Sequence, residues 1–138
     1  MEKIEKKIIT NFENVKYDIY AKFGDLWELD GSFERHIEKR ITLGHIDDMD
    51  DYIVKTLDCL ANSDNFIFAE HKNSWDNICY NKSKSWAVIF NENGKIMTSY
   101  KIEIGSKSFF QAQIAIKAKI KKGITDEKFR RYFNRLRS

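Results

Sequence analysis

Residues 85–104 read SWAVIF, then NENG, then KIMTSYKIEI. Both outer runs alternate in the period of two that a half-buried strand requires, and the polar, glycine-closed tetrad between them supplies a hairpin turn. Working back from this hairpin, FIFAEH (66–71) and DNICYN (76–81) show the same period, joined by short polar loops. Before residue 65 the period is helical instead. Helices first and an antiparallel meander afterwards make an α+β domain. With no proline, no repeat and no linker-like tract, residues 1–138 read as one domain.

The helical part divides at its polar punctuation. Ile4, Ile8 and Phe12 put one apolar stripe on a helix over 2–13. Residues 14–23 fit two patterns: Val15, Tyr17, Ile19, Ala21 and Phe23 alternate like a strand, while Val15, Ile19 and Phe23 suit a helix closed by Gly24. The DGS turn at 30–32 offers Ser32 as N-cap of a short helix with Phe33, Ile37 and Ile41 as its apolar stripe. Asp47 or Asp48 caps the next helix, in which Met49, Tyr52, Ile53, Thr56, Leu57 and Leu60 recur at helical spacing. Residues 107–121 favour helix by composition, although IKAKIK also alternates. Thr125, followed by an acidic turn and a basic end, starts a last helix with Phe129, Tyr132, Phe133 and Leu136 on one face. The segment 107–138 is thus expected to be basic and helical.

Composition narrows the function classes. A hydrophobic share of 42%, with 10 Phe, 6 Tyr and 3 Trp, is enough to fill a core. No apolar run nears the roughly 18 residues of a membrane helix, and the first residues are amphipathic rather than signal-like. Cys59 and Cys79 are expected as buried free thiols, and no Cys/His cluster suggests zinc. Asp47, Asp48, Asp50 and Asp51 lack the interior glycine and distal glutamate of a calcium loop, so they are expected to serve a helix N-terminus. Neither a magnesium carboxylate cluster nor a nucleotide phosphate loop is present, so no metal or cofactor is expected. The net charge of +3 is uneven: residues 1–106 carry −5 and residues 107–138 carry +8. A basic segment on a mildly acidic body points to a polyanionic partner, nucleic acid first.

The polar residues set beside the core carry the chemistry. His36 and Arg40 lie one turn apart at the edge of their helix's apolar stripe. In the hairpin's second strand, Thr98 and Tyr100 share a face with Ile96, Ile102 and Ile104, where buried hydroxyls need partners. Packing that helix across the sheet would gather an imidazole, a guanidinium, a hydroxyl and a phenol in one cleft. Such a set suits metal-free RNA cleavage: a base takes the 2′-OH proton, cations and hydroxyls hold the phosphorane oxygens, and an acid protonates the leaving 5′ oxygen.

At these residues the chain resembles the small ribonuclease toxins of the barnase–EndoU–colicin–RelE superfamily, nearest to the toxic C-terminal domains of contact-dependent inhibition and related polymorphic toxin systems. FERHIEKRITLGHI (33–46), the acidic-capped helix after it and WAVIFNENGKIMTSY (86–100) carry the likeness, which spans roughly 32–104. The resemblance implies an antiparallel sheet of four or five strands with helices on one side. It also implies cleavage of RNA, tRNA foremost, to a 2′,3′-cyclic phosphate, and a cognate immunity or antitoxin protein over the cleft. By position it puts the catalytic histidine on His36, the basic helix residue on Arg40, and the strand hydroxyl and aromatic on Thr98 and Tyr100. The basic segment after 104 is longer than the motif needs. Action in the cytoplasm, after delivery as part of a larger secreted protein, follows from the same resemblance.

Secondary candidates complete the site. His45 and His71 compete for the second proton transfer, and Lys95 adds charge at the hairpin mouth. Trp75 offers a base-stacking surface, with packing as the alternative. Lys101, Lys117, Lys119, Lys121, Lys122, Arg130, Arg131 and Arg135 form a diffuse phosphate-binding surface. Two rivals remain: a non-catalytic RNA-binding module, which gives His36 no special role, and an interaction protein of a toxin–immunity pair, against which the +8 segment argues.

Overall fold

The structure, a computed structural model, describes residues 2–63, 65–71, 74–81, 83–102, 120–123 and 127–137. Four helices lead into the sheet: α1 (Glu2–Glu13), a single turn α2 (Ile19–Lys22), α3 (Ser32–Thr42) and α4 (Met49–Asn62). The strands are β1 (Asn65–His71), β2 (Ser74–Asn81), β3 (Trp86–Phe90), β4 (Ile96–Lys101) and β5 (Ile120–Gly123), and α5 (Glu127–Arg137) closes the chain. The strands are hydrogen-bonded in the order β4-β3-β2-β1-β5, and every pairing is antiparallel. The fold is therefore α+β, with helices leading into an antiparallel sheet. Among the described residues no helix is long and apolar enough to cross a membrane.

The helical reading of 14–23 wins over the strand. Val15, Ile19 and Phe23 are buried and Tyr17 is 90% exposed, so spacing of four, not two, selects the inward residues. Short 3₁₀ turns at Lys16–Asp18 and Phe23–Leu26 flank α2. At α4 the acidic run acts as a helix cap. The Asp48 side chain accepts from the Asp51 N–H at 2.8 Å, Asp51 accepts from the Asp47 N–H at 2.9 Å, and Lys55 bonds Asp51 at 2.7 Å. These bonds satisfy N–H groups that the first turn leaves open.

Two expectations need correction. Ser32 is not a cap but the first, buried residue of α3; left-handed Gly31 occupies the cap position, without any side-chain bond. Ile120 and Lys121, expected as the end of a helix over 107–121, fall instead in β5, which pairs with β1. The rest of 103–119, with the expected helix there, and Thr125 lie outside the described residues.

The core lies between the helices and one face of the sheet. Ile8 and Phe12 of α1, Tyr52, Ile53 and Leu60 of α4, Phe129 and Phe133 of α5 meet Phe66, Cys79, Val88 and Phe90 from the strands. The two cysteines are buried free thiols. Because side chains alternate across a sheet, Ile78, Tyr80, Ala87 and Ile102 fall on its other face as a second cluster, with Ile89 and Tyr100 against it.

Candidate functional site

The site forms where α3 meets the outer edge of β4. Phe33 is buried against Phe23 and Trp27, which seats α3 on the segment before it. The expected stripe of Phe33, Ile37 and Ile41 is rotated: Ile41 is 44% exposed, whereas Arg40 is only 7% exposed. The inward row runs through Phe33, His36 or Ile37, and Arg40, so the polar pair faces the protein instead of skirting it.

A bulge in the hairpin supplies the other half. Ile89 pairs with Thr98 while Phe90 pairs with Ile96, leaving Met97 as the extra residue. An extra residue reverses facing beyond it. Hence Ile96 and Ser99 both turn toward the helices and are fully buried, while Thr98 and Tyr100 do not share Ile96's face as the simple alternation requires. That corrects the expected strand, and the Thr98 hydroxyl is met at the edge of β4 by His36 and Arg40 of α3.

The contacts are direct. Thr98 Oγ1 lies 3.4 Å from His36 Nδ1 and accepts from Arg40 Nη2 at 3.3 Å. Arg40 Nε donates to the Ser99 carbonyl at 3.3 Å, and its guanidinium stands 5.9 Å from the Tyr100 ring centre, within cation–π range. On the other side the indole of Trp27 packs on the His36 ring at 5.0 Å. The four residues His36, Arg40, Thr98 and Tyr100 are thus brought together.

Electrostatics sets their protonation. Burial, then the positive charges of Arg40, Lys39 and Arg35, lower the His36 pKa to about 4, so the imidazole is neutral at pH 7. A bound phosphate would oppose those charges and raise its basicity. Burial pushes Tyr100 up to about 12, with Arg40 opposing, so this phenol stays a donor. Because a hydroxyl oxygen has two lone pairs, Thr98 can accept from Arg40 and from a His36 Nδ1–H together. That arrangement leaves His36 Nε2 as the open base.

The secondary candidates scatter. Lys95 gives its ammonium to the Asp25 carbonyl at 3.0 Å. His45 donates its backbone N–H to the Arg40 carbonyl at 2.9 Å and so closes the end of α3. Lys101 is exposed at the end of β4, opposite Trp86. Lys121 and Lys122 pair across from Phe68 and Ile67 on β5, four strands from β4, which at strand spacing is about 19 Å away. On α5, Arg131 is exposed near Glu127, Arg135 is exposed and Arg130 is half-buried. Of the basic candidates, Lys101 alone lies on β4 beside the cluster, while Lys121 and Lys122 belong to the strand at the sheet's far edge. Lys117 and Lys119, and the side chains of His71, Trp75, Lys121 and Lys122, lie outside the described residues.

Three residues of the site escaped the sequence reading: Trp27, Tyr52 and Ser99. Tyr52 donates its hydroxyl to the Ser99 carbonyl, and Ser99 Oγ takes a bond from Trp86 Nε1 at 2.8 Å and shares one with Thr56 Oγ1 at 2.7 Å. The only sequence signal for Ser99 was a small hydroxyl among bulky strand residues.

The chain belongs to the family described as Uncharacterised protein aq_aa01. The model of that family matches residues 8–138, and so takes in α3, the hairpin and α5 alike. No curated protein and no solved structure matches the chain.

Proposed function

We propose that the protein is a toxic endoribonuclease that cleaves RNA without a metal ion, tRNA foremost. One observation carries the reading: a neutral imidazole lies within reach of a hydroxyl that a guanidinium also holds, with a phenol beside them, at the β4 edge of the sheet. His36 Nε2 takes the proton from the 2′-OH, the 2′ oxygen attacks phosphorus, and the 5′ oxygen leaves with a proton, giving a 2′,3′-cyclic phosphate and a 5′-OH end. Arg40, Thr98 and Tyr100 donate to the phosphorane oxygens as their charge grows. The protonated His36, or His45, returns the proton to the leaving group.

The same reading takes the sheet as the four- or five-stranded scaffold of the superfamily the sequence resembles, with basic helices after it. The basic far edge then holds RNA by its phosphates, which makes binding steeply salt-dependent. It also assigns a cognate immunity or antitoxin protein to the cleft and the cytoplasm as the place of action, after delivery within a larger secreted chain. The competing view, a non-catalytic RNA binder, draws on Arg40, which spends Nε on the Ser99 carbonyl and Nη2 on the Thr98 hydroxyl within the protein.

Total RNA incubated with the protein in excess chelator tests the proposal. The wild type should yield 2′,3′-cyclic ends, and His36→Ala should bind RNA equally and stop cutting. Uncut RNA, or equal cutting by His36→Ala, refutes it.

A further inference from the structure

Arg40 does not reach its place through α3 alone. Its Nε bond goes to a backbone carbonyl on the edge strand, and that carbonyl is also held by the Tyr52 hydroxyl from α4. The residue that owns the carbonyl, Ser99, is anchored through its side chain to Trp86 of β3 and Thr56 of α4. Thr56 in turn donates to the Tyr52 carbonyl at 2.8 Å. Four side chains from α3, α4 and β3 thus converge on one serine of β4, and Ser99 is fully buried.

We infer that Ser99 and Tyr52 are positioning residues: they pin the edge of β4 so that Arg40 spans the Ser99 carbonyl and the Thr98 hydroxyl, which fixes guanidinium and imidazole together where α3 meets β4. The Tyr52 ring is stacked on Phe33, 6.0 Å between centres and 9° between planes, so the same residue also seats α3. Removing the Tyr52 hydroxyl leaves that stack intact and cuts its bond to the Ser99 carbonyl together with its contact to the Arg40 side chain. The Ser99 carbonyl then loses a donor, and Arg40 is free to leave Thr98. The charges bearing on the His36 ring are Arg40, Lys39 and Arg35 of its own helix, while Trp27 and Thr98 pack on it from the other elements. Arg40 is the one whose place depends on β4.

The role in cleavage rests on the nuclease proposal; the role in setting the imidazole does not, and one experiment separates them. The His36 ring is titrated by NMR in wild type, Tyr52→Phe, Ser99→Ala and Ile53→Val, the last a core variant outside the network. Tyr52→Phe and Ser99→Ala should raise the His36 midpoint by roughly one pH unit as the guanidinium withdraws. Ile53→Val should lower stability and leave the midpoint in place. With RNA as substrate, kcat should drop about tenfold in Tyr52→Phe while KM stays within about twofold. If Ser99→Ala does not fold, Tyr52→Phe decides alone. An unmoved midpoint in folded Tyr52→Phe overturns the inference, as does an equal shift in Ile53→Val. A moved midpoint in a protein that never cuts RNA upholds it and refutes the nuclease proposal.

Discussion

Gly94 and Gly44 share a backbone conformation but not an environment, which makes them a matched pair for measuring how tightly the hairpin is held. Their φ angles are +74° and +75°. A Cβ at Gly44 would meet nothing within 4 Å, whereas one at Gly94 would lie 2.9 Å from the Ile8 nitrogen and 3.0 Å from the Lys7 carbonyl carbon. Those are backbone atoms of α1, which cannot swing aside. The turn is further tied to α1 by Asn11 Nδ2, which donates to the Asn93 and Gly94 carbonyls at 3.0 and 2.9 Å, and by Lys7, which donates to the Glu92 carbonyl. Alanine at either site carries the left-handed penalty of about 1–2 kcal/mol, partly offset by about 0.4–1 kcal/mol from a stiffer unfolded chain. Gly44→Ala should therefore cost about 1 kcal/mol. Gly94→Ala adds an overpacking cost of about 1–3 kcal/mol, for a total of about 2–4 kcal/mol. Urea unfolding followed by tryptophan fluorescence would read both values. Because the turn sets where β4 begins, Gly94→Ala should also weaken the His36–Thr98 contact. Equal destabilisation by the two variants would refute the claim that α1 grips the hairpin.

Three further outcomes follow from the site and its supports. His36 titrates near 4 in the folded chain and near 6.5 when unfolded, so below pH 6.5 the unfolded state takes up a proton that the native state refuses. Stability should fall as pH drops from 6.5 to 4, by about 1–2 kcal/mol after allowing for solvent screening of a half-buried ring, and His36→Gln should flatten that slope in pH-dependent melts. Arg40→Lys cannot serve the Ser99 carbonyl and the Thr98 hydroxyl with separate nitrogens of one planar fork, so RNA cleavage should drop at least about tenfold. Asp58 joins Lys84 at 2.7 Å and Arg137 at 3.0 Å, tying α4 to the β2–β3 turn and to α5. Asp58→Asn should cost about 1–2 kcal/mol, and the difference from wild type in denaturant melts should shrink in 1 M salt.

Periodicity made most of the fold legible. Helical spacing placed α1 to the residue and found α4, whose cap it left between Asp47 and Asp48, and the polar punctuation located the hairpin turn at Asn91–Gly94. What alternation could not show was a change in its own parity. The bulge beside Phe90 is made by one extra residue, and nothing in IMTSYK marks it, so Ile96 was grouped with Thr98 and Tyr100 rather than with Ser99, whose polar partners went unseen. Helix rotation was hidden for a related reason. Ile41 is the more apolar residue, yet α3 turns Arg40 inward because carbonyl and hydroxyl acceptors on β4 satisfy it there. The four principal site residues were recognisable as polar groups set beside apolar ones, but Trp27 and Tyr52 passed as ordinary core. The basic segment was legible as charge but not as position, since only pairing between distant strands sends β5 to the edge opposite β4.

The border of β4 has one more consequence. Glu28 N–H takes the Ile96 carbonyl at 2.9 Å, and Arg40 with Tyr52 takes the next outward carbonyl, that of Ser99. A bare strand border is an invitation to foreign backbone, whether a peptide seeking to add itself or a second molecule beginning a fibril. Here two acceptors that would welcome such a visitor, the Ile96 and Ser99 carbonyls, are already engaged by the chain's own groups. Anything that recognises this flank must do so through side-chain shape and charge rather than by lengthening the sheet.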